Sequence, residues 1–349
     1  MQVRPPMARL VIFALIINSK MEREDFRKEL LSRIFSVDES KFDQLALDVF
    51  RYQVKYNDVY NRFLSYLKVN SEKVDNVSQI PFLPIEVFKH QRVASFSTPE
   101  QKVFYSSGTT SENRSAHFIY DLEIYNRCLI ECFKLFYGSP QNYIIAGLLP
   151  SYLQQGNSSL VYMVKKLMEY SGQDKELFFL NNFSELHKYL VKRNNEKKIL
   201  LIGVSYALLD FGRQFPGDYK NLIIMETGGM KGRREEITRA DLHFQLKKFF
   251  NVETIHSEYG MTELLSQAYS KSSGKYFCPP WMKLKIKDPN DPLAEAKDSG
   301  VIHITDLANI DSCSFIATKD LGKINYDNSF EILGRIDNSD LRGCNLLIN

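Results

Sequence analysis

Between residues 142 and 250 the chain repeats one pattern, a short apolar run followed by an amphipathic stretch. The runs are YIIAGLL (143–149), ELFFL (176–180), ILLIGVS (199–205) and NLIIMET (221–227), with helical periodicity over 160–170 and 183–193 between them. A strand with one face in water alternates apolar and polar residues. A nearly continuous apolar strand needs both faces covered. The pattern therefore predicts an α/β fold whose mainly parallel sheet is covered by helices on both sides. A longer helix is expected over 234–250, leading into VETIHSEYG. Beyond Pro279 the texture turns to β, with GVIHITDL and SFIATKDLGKI as strands.

The stretch before this pattern reads differently. Residues 22–69 place apolar groups three and four apart, which makes a helical segment with one buried, aromatic-rich face. The prolines of IPFLPIEVFKHQRV then impose an extended connection. At the very start, an apolar run over 10–17 follows two arginines and is too short to cross a bilayer. Residues 1–20 read as a mis-started leader with Met21 as the true first residue; a signal peptide is the other reading. No stable membrane span is expected.

Bulk numbers narrow the function classes. A chain of 349 residues makes one large domain or two ordinary ones. Its 45 basic and 42 acidic residues nearly cancel, which argues against nucleic-acid binding. Five scattered cysteines, Cys128, Cys132, Cys278, Cys313 and Cys344, suggest reduced thiols and a cytoplasmic protein. Cys128 and Cys132 stand one helical turn apart, as two metal ligands could, but no neighbouring Cys or His completes a site, so core packing is the reading.

The segment FYSSGTTSENR (104–114) crowds five hydroxyl residues around one glycine, with Arg114 behind. Small polar residues favour an ordinary surface turn. They also expose N–H groups and hydroxyls that can surround phosphate oxygens, with Arg114 as counter-charge. The segment alone leaves both open. The lack of a following Gly-Lys-Ser/Thr argues against a P-loop NTPase.

Three more stretches follow in order: ETGGMKGRR (226–234), HSEYGMTELLSQAY (256–269) and IATKDLGKINYDNSFEILGRIDNSDLRGC (316–344). With FYSSGTTSENR, this ordered set resembles the adenylate-forming superfamily of acyl-CoA ligases, adenylation domains and luciferase-type enzymes. Within it, PFLPIEVFKHQ, SSGTT…RS, ETGGMKG and an end soon after RGC are similar to the acyl-protein synthetases of bacterial bioluminescence, the LuxE-like family. GVIHITDLAN also looks like phenylacetate-CoA ligases. Ser111 stands where many superfamily members have glycine, and Arg114 near their usual lysine.

The resemblance implies an adenylate-forming catalytic core over 81–333, packed against a helical segment at 21–80. A hinge-like segment at 334–349 would follow, without the usual C-terminal lid domain and its lysine. Ser106, Ser107, Gly108, Thr109, Thr110 and Arg114 would hold the terminal phosphates of ATP, and Thr262 the α-phosphate. Glu263 would ligate Mg2+. Tyr259 and Gly260 would lie against the adenine, with Gly228 and Gly229 allowing close approach. Asp320 would bind the ribose hydroxyls, assisted by Arg335. Read as residues alone, Tyr259 could equally be a core aromatic and Glu263 a helix first-turn acid. His256 either contacts the acyl site or fills a strand end.

The implied activity is ATP-dependent activation of a fatty or related carboxylic acid as acyl-AMP. The acyl group would then pass to Cys344 as a thioester, for an acyl-accepting reductase or carrier protein. Gly343 and Arg342 beside Cys344 suit a mobile thiolate; a small buried hydrophobe is the plainer reading of a free cysteine. Two alternatives remain: a phenylacetate-type CoA ligase, and a catalytically weak nucleotide-binding interaction subunit.

Overall fold

The computed structural model describes residues 21–107, 114–149, 156–180, 182–193, 197–228, 237–289, 296 and 298–336. Gly108, Thr109, Thr110, Gly229 and Cys344 lie outside the described residues, as do 1–20 and all of the proposed hinge beyond 336.

The predicted parallel sheet is present. Strands β4 (Tyr143–Leu148), β5 (Lys198–Val204), β6 (Leu222–Thr227) and β7 (His256–Tyr259) pair in parallel in that order, and β8 (Ala268–Ser270) closes the edge antiparallel to β7. Every residue of β4, and every residue of β5 after Lys198, is buried, as two covered faces require. Helix α6 (Ser159–Tyr170) packs on β4, while α8 (Ser205–Gln214) packs on β5, β6 and α9 (Arg239–Phe250). Helices α5 (Leu122–Tyr137) and α7 (Phe183–Lys192) complete the layers; α5 buries Cys128 and Cys132 in the core.

Two elements differ from the sequence reading. ELFFL is not a strand: Phe178 makes one bridge to Gly147 at the edge of β4, and the segment then turns away. The last helix of the pattern begins at Arg239, where the Thr238 side chain caps it by accepting from the Asp241 N–H.

The second sheet gathers the β-rich end of the chain. Its order is β1 (Leu83–Pro84), β11 (Phe315–Ile324), β10 (Gly300–Asp306), β9 (Met282–Lys287), with β12 (Phe330–Arg335) also paired to β11. Gly334 and Arg335 end β12, so the boundary expected at 334 falls inside a strand. A hairpin of β2 (Lys102–Tyr105) and β3 (Ala116–Ile119) brackets the Ser/Thr/Gly segment.

The N-terminal segment is helical in three pieces: α1 over 21–34, α2 (Glu39–Tyr56) and α3 (Asp58–Tyr66). Asp38 and Asn57 make the breaks, each accepting from the N–H of the residue three further on. These helices grip the loop between β10 and β11, which includes a short 3-10 helix, α4 (Val87–His90) lying elsewhere, after β1. Gln53 donates to the carbonyls of Asn309 and Ile310, Asn57 to that of Ser312, and Arg27 makes two 2.7 Å bonds to Asp311.

Candidate active site at the seam of two sheets

The C-terminal ends of β6 and β7 meet the second sheet along a seam, and most of the described candidates lie on it. The hairpin contributes first. The Ser106 N–H donates to the Ser115 carbonyl at 3.0 Å, and the Ser115 N–H returns a 2.9 Å bond to Ser106 Oγ. Those bonds draw the ends of the Ser/Thr/Gly segment together, with Ser107 and Arg114 exposed beside them.

Glu263 lies in a turn after β7, not in a helix, so the first-turn explanation for its charge does not apply. Its side chain is buried. Burial pushes its carboxyl above the ordinary range; the Ser115 hydroxyl and the Arg335 charge pull it down, and Asp320 pushes it up. The hairpin, the turn and the β11–β12 pair are therefore within electrostatic reach of one carboxylate.

Asp320 and Arg335 sit directly opposite each other in the β11–β12 ladder. Arg335 Nε lies 3.8 Å from Asp320 Oδ1, and the Tyr259 hydroxyl donates to Asp320 Oδ2 at 2.8 Å. The Tyr259 ring packs edge-on against Phe330 and Tyr276. Tyr259 thus carries a polar handle from the first sheet to the second. Gly260 packs closely on its neighbour: a Cβ there would lie 2.5 Å from Glu258 Oε1, so that side chain would have to shift. Gly228 follows β6 with φ 64°, the left-handed region, and its carbonyl accepts from Ser205 Oγ at 2.8 Å. His256 stands apart from this group, at the opposite end of β7, where its Nδ1 contacts the Tyr137 hydroxyl at 3.0 Å.

Several buried polar residues of the seam carry no signature that singled them out in sequence. Asp306 accepts from the N–H groups of Leu265, Ser266 and Ala308 and from Ser266 Oγ. Asn309 donates to the Glu263 carbonyl at 2.8 Å, and His117 Nδ1 lies 2.7 Å from the Thr262 carbonyl. Arg239 ties the sheets together, donating to Glu226 at 3.2 Å and to the Ile332 carbonyl at 3.1 Å. The available signal was polarity in the wrong place: Asp306 and Asn309 interrupt an apolar strand-and-turn sequence, where an unpaired group would be costly.

The acyl-protein synthetase family, LuxE, matches residues 29–349 of this sequence. The chain belongs to that family. It is 23% identical over 338 residues to the long-chain-fatty-acid–luciferin-component ligase of Vibrio harveyi, covering 87% of this chain and 86% of that one. It is 21% identical over 333 residues to the ligase of the same name from Aliivibrio fischeri. Among solved structures, a 2-hydroxyisobutyryl-CoA ligase in complex with 2-HIB-AMP superposes with a TM-score of 0.64 at 12% identity, over 88% of this chain and 70% of that one. ATP-bound MatB from Rhodopseudomonas palustris gives 0.52 at 17% identity, over 67% of this chain but only 47% of its own length. These likenesses establish the adenylate-forming ligase fold for this LuxE-family chain.

The donor set suits the groups the family fold implies. Magnesium takes one or two carboxylates plus phosphate oxygens rather than an all-protein cage. Among the described residues there is no cluster of three or more His, Cys, Asp or Glu, while the buried carboxylate of Glu263 offers hard oxygen at the mouth of the hairpin. Among the described residues, no helix is long and apolar enough to cross a membrane.

Proposed function

We propose that this LuxE-family protein activates a fatty or related carboxylic acid with ATP as acyl-AMP and then takes the acyl group onto Cys344. The observation that carries the reading is the meeting, at one seam, of the bonded pair Ser106 and Ser115, the buried Glu263 carboxylate and the Tyr259–Asp320–Arg335 array.

The chemistry brings two anions together. A carboxylate oxygen of the acid attacks the α-phosphorus of ATP, and pyrophosphate leaves with the bond electrons. Ser106, Ser107, Gly108, Thr109, Thr110 and Arg114 would hold the departing phosphates, and Thr262 the α-phosphate. Bound Mg2+ would neutralise phosphate charge, with Glu263 as its protein ligand. Asp320 accepts hydrogen bonds, as ribose hydroxyls would supply, with Arg335 across the ladder. Tyr259, Gly260, Gly228 and Gly229 would line the base. Most of the catalytic gain would come from positioning and fixed charge. In the second step the Cys344 thiolate attacks the acyl carbonyl, a C–S bond forms, and AMP leaves; a reductase or carrier thiol would then accept the acyl group.

The test is acid-dependent ATP–pyrophosphate exchange over short, long and aromatic acids. Exchange with one class supports adenylation and names the substrate; bound ATP with no exchange for any acid overturns it. Cys344→Ser should keep exchange and lose a hydroxylamine-sensitive acyl label. A label that survives the substitution removes Cys344 as the acceptor.

A further inference from the structure

We propose that His117 and Asn309 are positioning residues: they set the Glu263 carboxylate by holding the backbone of Thr262 and Glu263 from both sides. This rests on the reading of Glu263 as the metal-bearing group.

The turn after β7 has little backbone support of its own. Its internal backbone bond, from the Leu264 N–H to the Met261 carbonyl, is 3.2 Å long. Side chains supply the rest. The Thr262 carbonyl meets His117 Nδ1 at 2.7 Å, the Glu263 carbonyl meets Asn309 Nδ2 at 2.8 Å, and the N–H groups of Leu265 and Ser266 go to Asp306. A carbonyl oxygen can only accept, so the His117 proton sits on Nδ1. Burial pushes the ring's pKa down to about 4 against the help of both partners, so one proton is what the neutral ring has to give. Asn309 is oriented independently, since Nδ2 also donates to the Cys313 carbonyl at 2.9 Å; its Oδ1 lies 3.1 Å from His117 Nε2. With its one proton on Nδ1, His117 meets that oxygen with an unprotonated Nε2, so no hydrogen bond joins the pair; they form a unit only in standing side by side, each holding its own carbonyl of the turn.

Their places in the chain give the unit its meaning. His117 is on β3, two residues beyond Ser115, so the hairpin that closes the phosphate loop also holds the turn bearing Glu263. Asn309 stands on the β10–β11 loop that Gln53, Asn57 and Arg27 hold from the N-terminal helices. Phosphate loop and metal carboxylate thus share one mount. A displacement of roughly 1 Å at such a group costs on the order of a hundredfold in rate.

The experiment titrates free Mg2+ with the full-length protein in two readouts, ATP binding by equilibrium dialysis without acid and pyrophosphate exchange at fixed ATP and acid. Asn309→Ala and His117→Leu should each raise the half-saturating Mg2+ by about tenfold or more. His117→Asn, whose amide can stand where Nδ1 stood, should recover most of that loss. In a Glu263→Gln background, Asn309→Ala should add nothing, because both act on one group. A folded Asn309→Ala protein with the wild-type Mg2+ response, or an undiminished loss in the Glu263→Gln background, overturns the proposal while leaving Glu263's role intact. A wild-type Mg2+ response in Glu263→Gln itself overturns the underlying reading and the proposal with it. Thermal unfolding identifies any variant that fails to fold; should Asn309→Ala fail, the His117→Leu and His117→Asn pair decides.

Discussion

The two halves of the seam are built in opposite ways. The turn carrying Thr262 and Glu263 is pinned by His117, Asp306 and Asn309, all of them buried. The array that would face the ribose is lightly held: the Arg335 side chain is 63% exposed and lies 3.8 Å from Asp320, whose other oxygen has one phenol bond. Such a difference fits a division of labour. Groups on which charge changes during reaction gain from being fixed beforehand, because nothing has to reorganise at that moment. Groups that only recognise the nucleotide can afford exposure, since their contacts are the same before and after the step.

Breaking the rigid half should have the largest effect. Asp306→Ala removes an acceptor from three N–H groups and a hydroxyl in the core. It should cost about 3 kcal/mol or more of stability and most of the exchange activity, read by denaturant unfolding and by exchange at a temperature where the variant remains folded. Stability unchanged within about 0.5 kcal/mol would show that the turn is pinned elsewhere.

Glu258 sharpens the comparison through pH. It is buried on β7, its carboxylate meets the Thr227 hydroxyl, and burial raises its pKa to about 7, with Glu226 adding to the rise. The native state therefore binds a proton that the unfolded chain has released. The stabilisation is complete below about pH 4.5 and is lost as pH rises through about 7. Glu258→Gln should gain stability relative to wild type between pH 5 and pH 8, by about 2.5 kcal/mol at most, measured as the difference in Tm at the two pH values. A difference that does not change with pH would mean the carboxyl is ionised throughout. His117 works in the opposite sense. With its folded pKa lowered to about 4, its contribution is present above about 6.5 and declines as pH falls toward 4.

Much of the fold was written in periodicity, and the rest was not for local reasons. Continuous apolar runs gave β4, β5 and β6, since only a doubly covered strand tolerates them. ELFFL has the same composition but follows a turn and meets only one edge residue, Gly147, a tertiary circumstance that no window reveals. Among the site candidates, Tyr259, Glu263, Asp320 and Arg335 could be singled out because their motifs are local in sequence. Their supports were not. Asn309 and Glu263 are 46 positions apart, and His117 and Thr262 are 145 apart, so neither pair has any spacing to read. Polar residues that serve a distant backbone look the same, in a single sequence, as polar residues in a loop.

The adaptable half gives the smaller effects. Tyr259→Phe removes the 2.8 Å bond to Asp320 and leaves the ring's packing on Phe330 intact. A bond to a charged acceptor is worth about 1.5 kcal/mol or more, so KM for ATP should shift by roughly tenfold or more with kcat little changed. Arg335→Gln should do less to the fold than any other change here. An exposed pair at 3.8 Å is screened by solvent and salt, so stability should move by less than about 0.5 kcal/mol. If Arg335 nonetheless serves the nucleotide, its loss should appear in KM for ATP at low salt and fade as ionic strength rises. A fall in kcat as large as that of Glu263→Gln, with KM unchanged, would place Arg335 among the pre-set groups and end the division between the two halves.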